Sequence, residues 1–138
     1  MKRNLIMLLI VLVTVVSLHV PSAKAGVEPI ATVSAFFTAL DADDHEAAVA
    51  MFTPDAVATL VRGETYQGAE ELRDMVELLA HPGRYHNIVR AEMAGDTVSV
   101  VVAVYDHGVR WGEDTIVIEV QEGKLHTYHE QAFRLQLR

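Results

Sequence analysis

Two periodicities divide the chain. From Pro29 to Leu79 apolar side chains recur every three to four residues, and from Tyr85 onward they alternate one by one, so helices precede strands. Ile30, Val33, Phe36, Phe37 and Leu40 form one stripe, which predicts an amphipathic helix over 29–40 with Pro29 tolerated in its first turn. Asp43 followed by Glu46 has the spacing of a capping box, and Ala47, Ala48, Met51 and Phe52 supply the buried face of a short second helix. Thr53-Pro54-Asp55 predicts a turn, after which residues 56–61 and 64–67 read as a hairpin closed at Arg62-Gly63. A third helix follows Gly68 on the stripe Leu72, Met75, Val76 and Leu79, and His81-Pro82-Gly83 ends it.

Beyond that point the period of two predicts strands over 85–93, 97–105, 114–120 and 125–136. Turns fall at 94–96, 106–108 and 121–123. Val98, Val100, Val102 and Val104 give one strand an uninterrupted apolar face, which needs hydrophobic cover. The three helices are the cover available. The fold class is therefore α+β, with three N-terminal helices packed on the concave face of a curved, mixed, mostly antiparallel sheet.

The N-terminus departs from this pattern. Lys2 and Arg3 precede a run from Leu5 to Leu18 interrupted only by Thr14 and Ser17, Pro21 breaks it, and Ala23-Lys24-Ala25 offers small side chains to a signal peptidase. Residues 1–25 read as a signal peptide and residues 26–138 as one domain, secreted or periplasmic and free of the membrane after cleavage. The run is shorter than the roughly 20 residues that span a bilayer core. Of 11 basic side chains that leader holds Lys2, Arg3 and Lys24, against none of the 19 acids, so the remaining domain carries a net charge of about −11. Such a surface repels phosphate backbones, and nucleic acid is not an expected partner.

Three phrases carry a resemblance: "FFTALDADDHEAAVAMFTPDAV", "GETYQGAEELRDMV" and "EGKLHTY". In their order and spacing the chain resembles the nuclear transport factor 2-like superfamily, in its SnoaL-like and ketosteroid-isomerase-like branch. The resemblance implies a cone-shaped, cystatin-like α+β barrel enclosing an apolar pocket for a small hydrophobic molecule, commonly with a homodimer through the outer face of the sheet. It does not imply one reaction.

Isomerase chemistry of that branch uses an Asp base, a Tyr and a carboxylic acid kept protonated by an apolar site. Phe36 stands where the helix-one Tyr would be and Leu60 where the base Asp would be, while Asp114 roughly matches the third position. Steroid isomerisation by that mechanism is not expected. His86, in "RYHNIV", matches the pocket His that scytalone-dehydratase-like and several SnoaL-like members carry, and a neutral imidazole in an apolar cone can relay a proton. Asp114, on the face of Ile116, Ile118 and Val120, would be desolvated there, which raises a carboxyl pKa. The bland alternatives are a His that only packs and an Asp that only opens a strand.

Phe36, Tyr66, Trp111 and Tyr128 are candidate ligand-binding walls, with Arg110 at the rim. No metal is expected: His126 and His129, three apart in a strand, point to opposite faces. No Cys is present, and Ser34 and Ser99 lack a nucleophile-elbow context. An enzyme built this way would be a cofactor-independent acid–base isomerase, lyase or cyclase. Two rival readings are a non-catalytic ligand-binding or dimerising module of the cell envelope, and a domain whose cone is filled by Phe36, Phe37, Met51, Phe52, Met75 and Met93. The acids at 41–46 are expected to be solvated helix ends, with Asp41 and Asp43 closing one helix and capping the next.

Overall fold

The valine face of residues 98–104 sets the layering of the molecule. In the computed structural model, which describes residues 28–136, these side chains lie beneath the first helix. The elements run α1 (Glu28–Asp41), α2 (His45–Ala50), β1 (Phe52–Thr59), β2 (Thr65–Gln67), α3 (Gly68–Leu79), β3 (Arg84–Ala94), β4 (Thr97–Asp106), β5 (Val109–Gln121) and β6 (Lys124–Leu135). One six-stranded sheet has the order β2-β1-β6-β5-β4-β3. Every neighbouring pair is antiparallel except β1 with β6, which makes the sheet mixed. The predicted leader lies outside the described residues.

Helix α1 is the one that crosses the sheet, touching β3, β4, β5 and β6, whereas α3 packs on β1, β2 and α2. Its predicted stripe is the buried one: Val33, Phe36, Phe37 and Leu40 are almost without exposure. Phe36 meets Phe37, Phe52 and Tyr128 edge-on, with ring centroids 5.5, 5.3 and 5.9 Å away. Such pairs add about 0.5–1.5 kcal/mol each beyond the area they bury. Val98, Val100, Val102, Ile116, Ile118 and Leu125 complete the contact from the sheet.

Four local expectations are corrected. The cap of α2 is Asp44, whose side chain accepts from the Ala47 N–H at 3.0 Å, and Asp43 instead takes a left-handed φ of 55° and bonds His45. Phe52 leaves the second helix and opens β1, and Thr53-Pro54-Asp55 is a stretch of irregular strand, not a turn. The register against β6 jumps from Phe52↔Leu125 to Val57↔Thr127, so Pro54, which lacks an N–H, sits where the ladder is interrupted. The fifth strand starts at Val109, not at 114, because its pairing with β4 continues past an extra residue, Trp111.

Such extra residues recur in the long strands. The pairs Ile116↔Glu130 and Thr115↔Ala132 leave Gln131 unopposed in β6, and Val104↔Gly112 and Tyr105↔Arg110 leave Trp111 unopposed in β5. Each bulge bends its strand and reverses which residues face inward. Glu130 faces the helices before the bulge in β6; Phe133 and Leu135 do so after it.

Candidate functional site

Beyond the packed end of the sheet the helices and strands separate around a cavity of about 310 Å³. Phe37 of α1, Val102 and Val104 of β4 and Ile116 of β5 form its apolar floor. Four polar side chains reach it from three strands: His86 from β3, Asp114 from β5, and Tyr128 and Glu130 from β6. At the mouth stand Val61, Trp111 and Leu135, 45%, 46% and 58% exposed, together with Arg62, Arg84 and Phe133.

His86 is held by the last residue of α1. Asp41 accepts the His86 backbone N–H at 3.0 Å and meets ring Nδ1 at 2.7 Å. A carboxylate that already accepts one N–H leaves Nδ1 to donate the second bond, so the unprotonated ring nitrogen is Nε2. The side chain is 7% exposed and its ring lies 5.4 Å from that of Phe37. Burial lowers the imidazole pKa, with Asp41 opposing and the Arg84 charge adding to the fall. Neutral imidazole is the resulting form near neutral pH, so the Asp41 contact is a charge-assisted hydrogen bond and not an ion pair.

Asp114 is shifted the opposite way. Only 8% exposed, it has its carboxyl pKa pushed up to about 8, first by burial and then by the negative charge of Glu130 beside it. Its Oδ1 is buried with no hydrogen-bond partner among the described residues. Glu130 is better provided for: the Val61 N–H donates to Oε2 at 3.0 Å and the Tyr128 hydroxyl donates to Oε1 at 3.3 Å. The missing donor at Asp114 Oδ1 agrees with its raised pKa, since donors stabilise the charged form. Asp114 is the acid, and burial and the two carboxyls hold the Tyr128 hydroxyl protonated.

The structure brings His86, Asp114, Trp111 and Tyr128 to one cavity. Phe36 and Tyr66, expected as ligand walls, do not line it. Phe36 faces the sheet one helical step from Phe37 and is fully buried in the core, and Tyr66 sits on β2 at the far edge, packed against that core. Arg110 pairs with Glu113 instead of reaching the rim, as the bulge at Trp111 turns it away. Arg62, read as a turn flank, does line the mouth.

Glu130, Arg84 and the positioning role of Asp41 escaped sequence reasoning. Tyr128 and Glu130 are two apart in one strand, which puts them on one face and was the available signal. Asp41 contacts a residue 45 positions away, so nothing local marks it. Among the described residues no group of three or more His, Asp or Glu gathers as a metal site. Nor is any described helix long and apolar enough to cross a membrane.

A helix-covered mixed sheet folded around such a cavity defines the nuclear transport factor 2-like class. Within it the chain belongs to the SnoaL-like domain family, whose model matches residues 33–128. No curated protein sequence matches the chain. Solved structures share the fold at low identity. An NTF-2-like protein of unknown function from Burkholderia xenovorans is 17% identical with a TM-score of 0.68, over 83% of this chain and 89% of its own. A protein of unknown function with a cystatin-like fold from Nostoc punctiforme is 22% identical with a TM-score of 0.67, over 79% and 91%. An M. tuberculosis LEH-like epoxide hydrolase is 21% identical with a TM-score of 0.63, over 79% and 84%.

Proposed function

We propose that the chain is a pocket protein of acid–base type, which takes a small hydrophobic molecule into the cavity and moves a proton within it, as a cofactor-independent isomerase, lyase or cyclase. One observation carries this reading. His86 and Asp114 share a cavity, and its environment drives their pKa values in opposite senses, leaving an unprotonated base opposite a protonated acid near neutral pH. In this scheme Nε2 of His86 removes a proton from the bound molecule, Asp41 holds the ring, and Asp114 donates to the oxygen on which negative charge develops. Burial and the neighbouring Glu130 retain the proton on Asp114 until it is used.

The test is turnover of a panel of small ketones, epoxides and β-hydroxycarbonyl compounds by the purified protein and by His86→Ala and Asp114→Asn. A positioned acid or base contributes roughly 10²–10⁴-fold, and both variants are expected to fall by that order. Activity should also fall above about pH 8, where Asp114 ionises. Turnover unchanged in both variants removes the pair. The rival reading, binding without catalysis, is favoured by the absence of a Tyr at Phe36 and an Asp at Leu60, and predicts a bound lipophile in native mass spectra with no turnover.

Export completes the proposal: the leader read at residues 1–25 supports a secreted or periplasmic protein. N-terminal sequencing of protein recovered outside the cytoplasm should begin at Gly26. A homodimer through the outer face of the sheet is proposed with it, supported by the stacked Tyr85 and Tyr105 rings on that face, 4.4 Å apart. Sedimentation reads that state directly.

A further inference from the structure

Acids outnumber bases 19 to 11 in this chain, yet neither arginine at the cavity mouth, Arg62 or Arg84, has a carboxylate within ion-pair distance among the described residues, and Arg84 is the less exposed of the two. Arg73, Arg90 and Arg110 pair with Glu46, Glu92 and Glu113. Arg84, less exposed than Arg90, lies within ion-pair distance of no carboxylate among the described residues. A guanidinium carries five N–H donors. Here one Nη1 bond, to the Leu78 carbonyl at 3.2 Å, is the hydrogen bond found, and Nε is buried with no partner. The Trp111 ring, 5.4 Å from the guanidinium carbon, fixes the group at the mouth. A held, partly desolvated fork of free donors facing apolar walls is complementary to a carboxylate, which it binds with two parallel bonds.

We propose that the cavity selects compact apolar molecules bearing a carboxylate, with that group seated on Arg84 at the mouth and the apolar body against Phe37, Val104, Ile116 and Phe133. The inference rests on the reading of the cavity as a ligand site and names the class of its ligand. Arg84 and His86 are two apart on β3, before the bulge near Val89, so both face the cavity about 7 Å apart along the strand. The carbon presented to Nε2 of His86 is then only a few bonds from the carboxylate. A cavity of about 310 Å³ lies at the small end of the range for ligand sites, roughly 300–1,000 Å³, which favours a compact acid.

Isothermal titration of the purified protein with naphthalene-2-carboxylate and with naphthalene-2-carboxamide separates charge from shape. The carboxylate is expected to bind at least tenfold more tightly, about 1.4 kcal/mol. Arg84→Gln should bring the two affinities within twofold of each other, and Arg84→Lys should retain part of the preference. The wild-type ratio stands without either variant. Equal binding of both probes by the wild type overturns the carboxylate preference and leaves the ligand site intact. A preference that survives Arg84→Gln overturns the seat assigned to the anion, and binding of neither probe overturns the inference together with the reading beneath it.

Discussion

The two ends of the sheet are built from the same strands and end up opposite in kind. At one end β6 contributes Leu125 and Tyr128, both almost without exposure, under the rings of Phe36 and Phe52. At the other, the same strand contributes Phe133 and Leu135 to an open cavity, with Leu135 58% exposed. The difference is made by α1, which covers the first end, and by the bulges at Trp111 and Gln131, which bend the second away from it. Stability is concentrated where side chains interlock, and the titratable groups are concentrated where they do not. Phe36→Ala should therefore destabilise by about 3–5 kcal/mol in denaturant unfolding, by lost transfer energy plus a cavity. Leu135→Ala should stay within about 0.5 kcal/mol. If Phe36→Ala also abolished binding in the cavity, the two ends would be one cooperative unit and the contrast would fail.

Asp114 sets a pH-dependent cost at the open end. In the unfolded chain its carboxyl ionises near its ordinary value of 3.8, while in the folded protein it holds the proton up to about 8. Between those values the folded state binds the extra proton, so stability falls as pH rises, by about 1.4 kcal/mol per pH unit for one full proton. Asp114→Asn removes the titrating group without emptying the site. The variant should match the wild type near pH 4 and exceed it by a few kcal/mol at pH 8, read from denaturant midpoints at both values. An Asp114→Asn curve parallel to the wild type would place the proton elsewhere in the carboxyl pair.

The stripe Val33, Phe36, Phe37, Leu40 and the alternation Val98 to Val104 were legible because each residue's role depends only on its spacing along one element. The same rule put Asp114 on the face of Ile116, Ile118 and Val120, whereas His86 was marked by the family resemblance and not by its spacing. It failed at Phe52, Trp111 and Gln131, where an irregular register changes parity and no run of residue types announces the change. Asp41 closes α1 and stays exposed as expected, but its bonds to His86 were not legible, because the last turn of α1 meets β3 only in the folded molecule. Phe36 was placed correctly on the buried stripe and wrongly in the pocket: Phe37, one helical step away, is the ring that reaches the cavity.

Gly112 lies in the open region, opposite Leu135 of β6. A Cβ built there would come within 2.5 Å of the Arg134 carbonyl oxygen and 2.7 Å of the Phe133 ring, so no side chain fits without a shift both of β6 and of that ring. The ring can yield into the cavity, whereas the closer contact is backbone and is relieved only by movement of β6. Gly112→Ala should then cost about 1–3 kcal/mol, the usual range for overpacking, and push Phe133 toward the space a ligand would occupy. Ligand affinity is expected to fall with it, whereas Phe36→Ala leaves affinity unchanged and costs more stability. A Gly112→Ala protein that kept both stability and affinity would mean that β6 shifts freely past its bulge, and that the open end is held by something other than the register at Gln131.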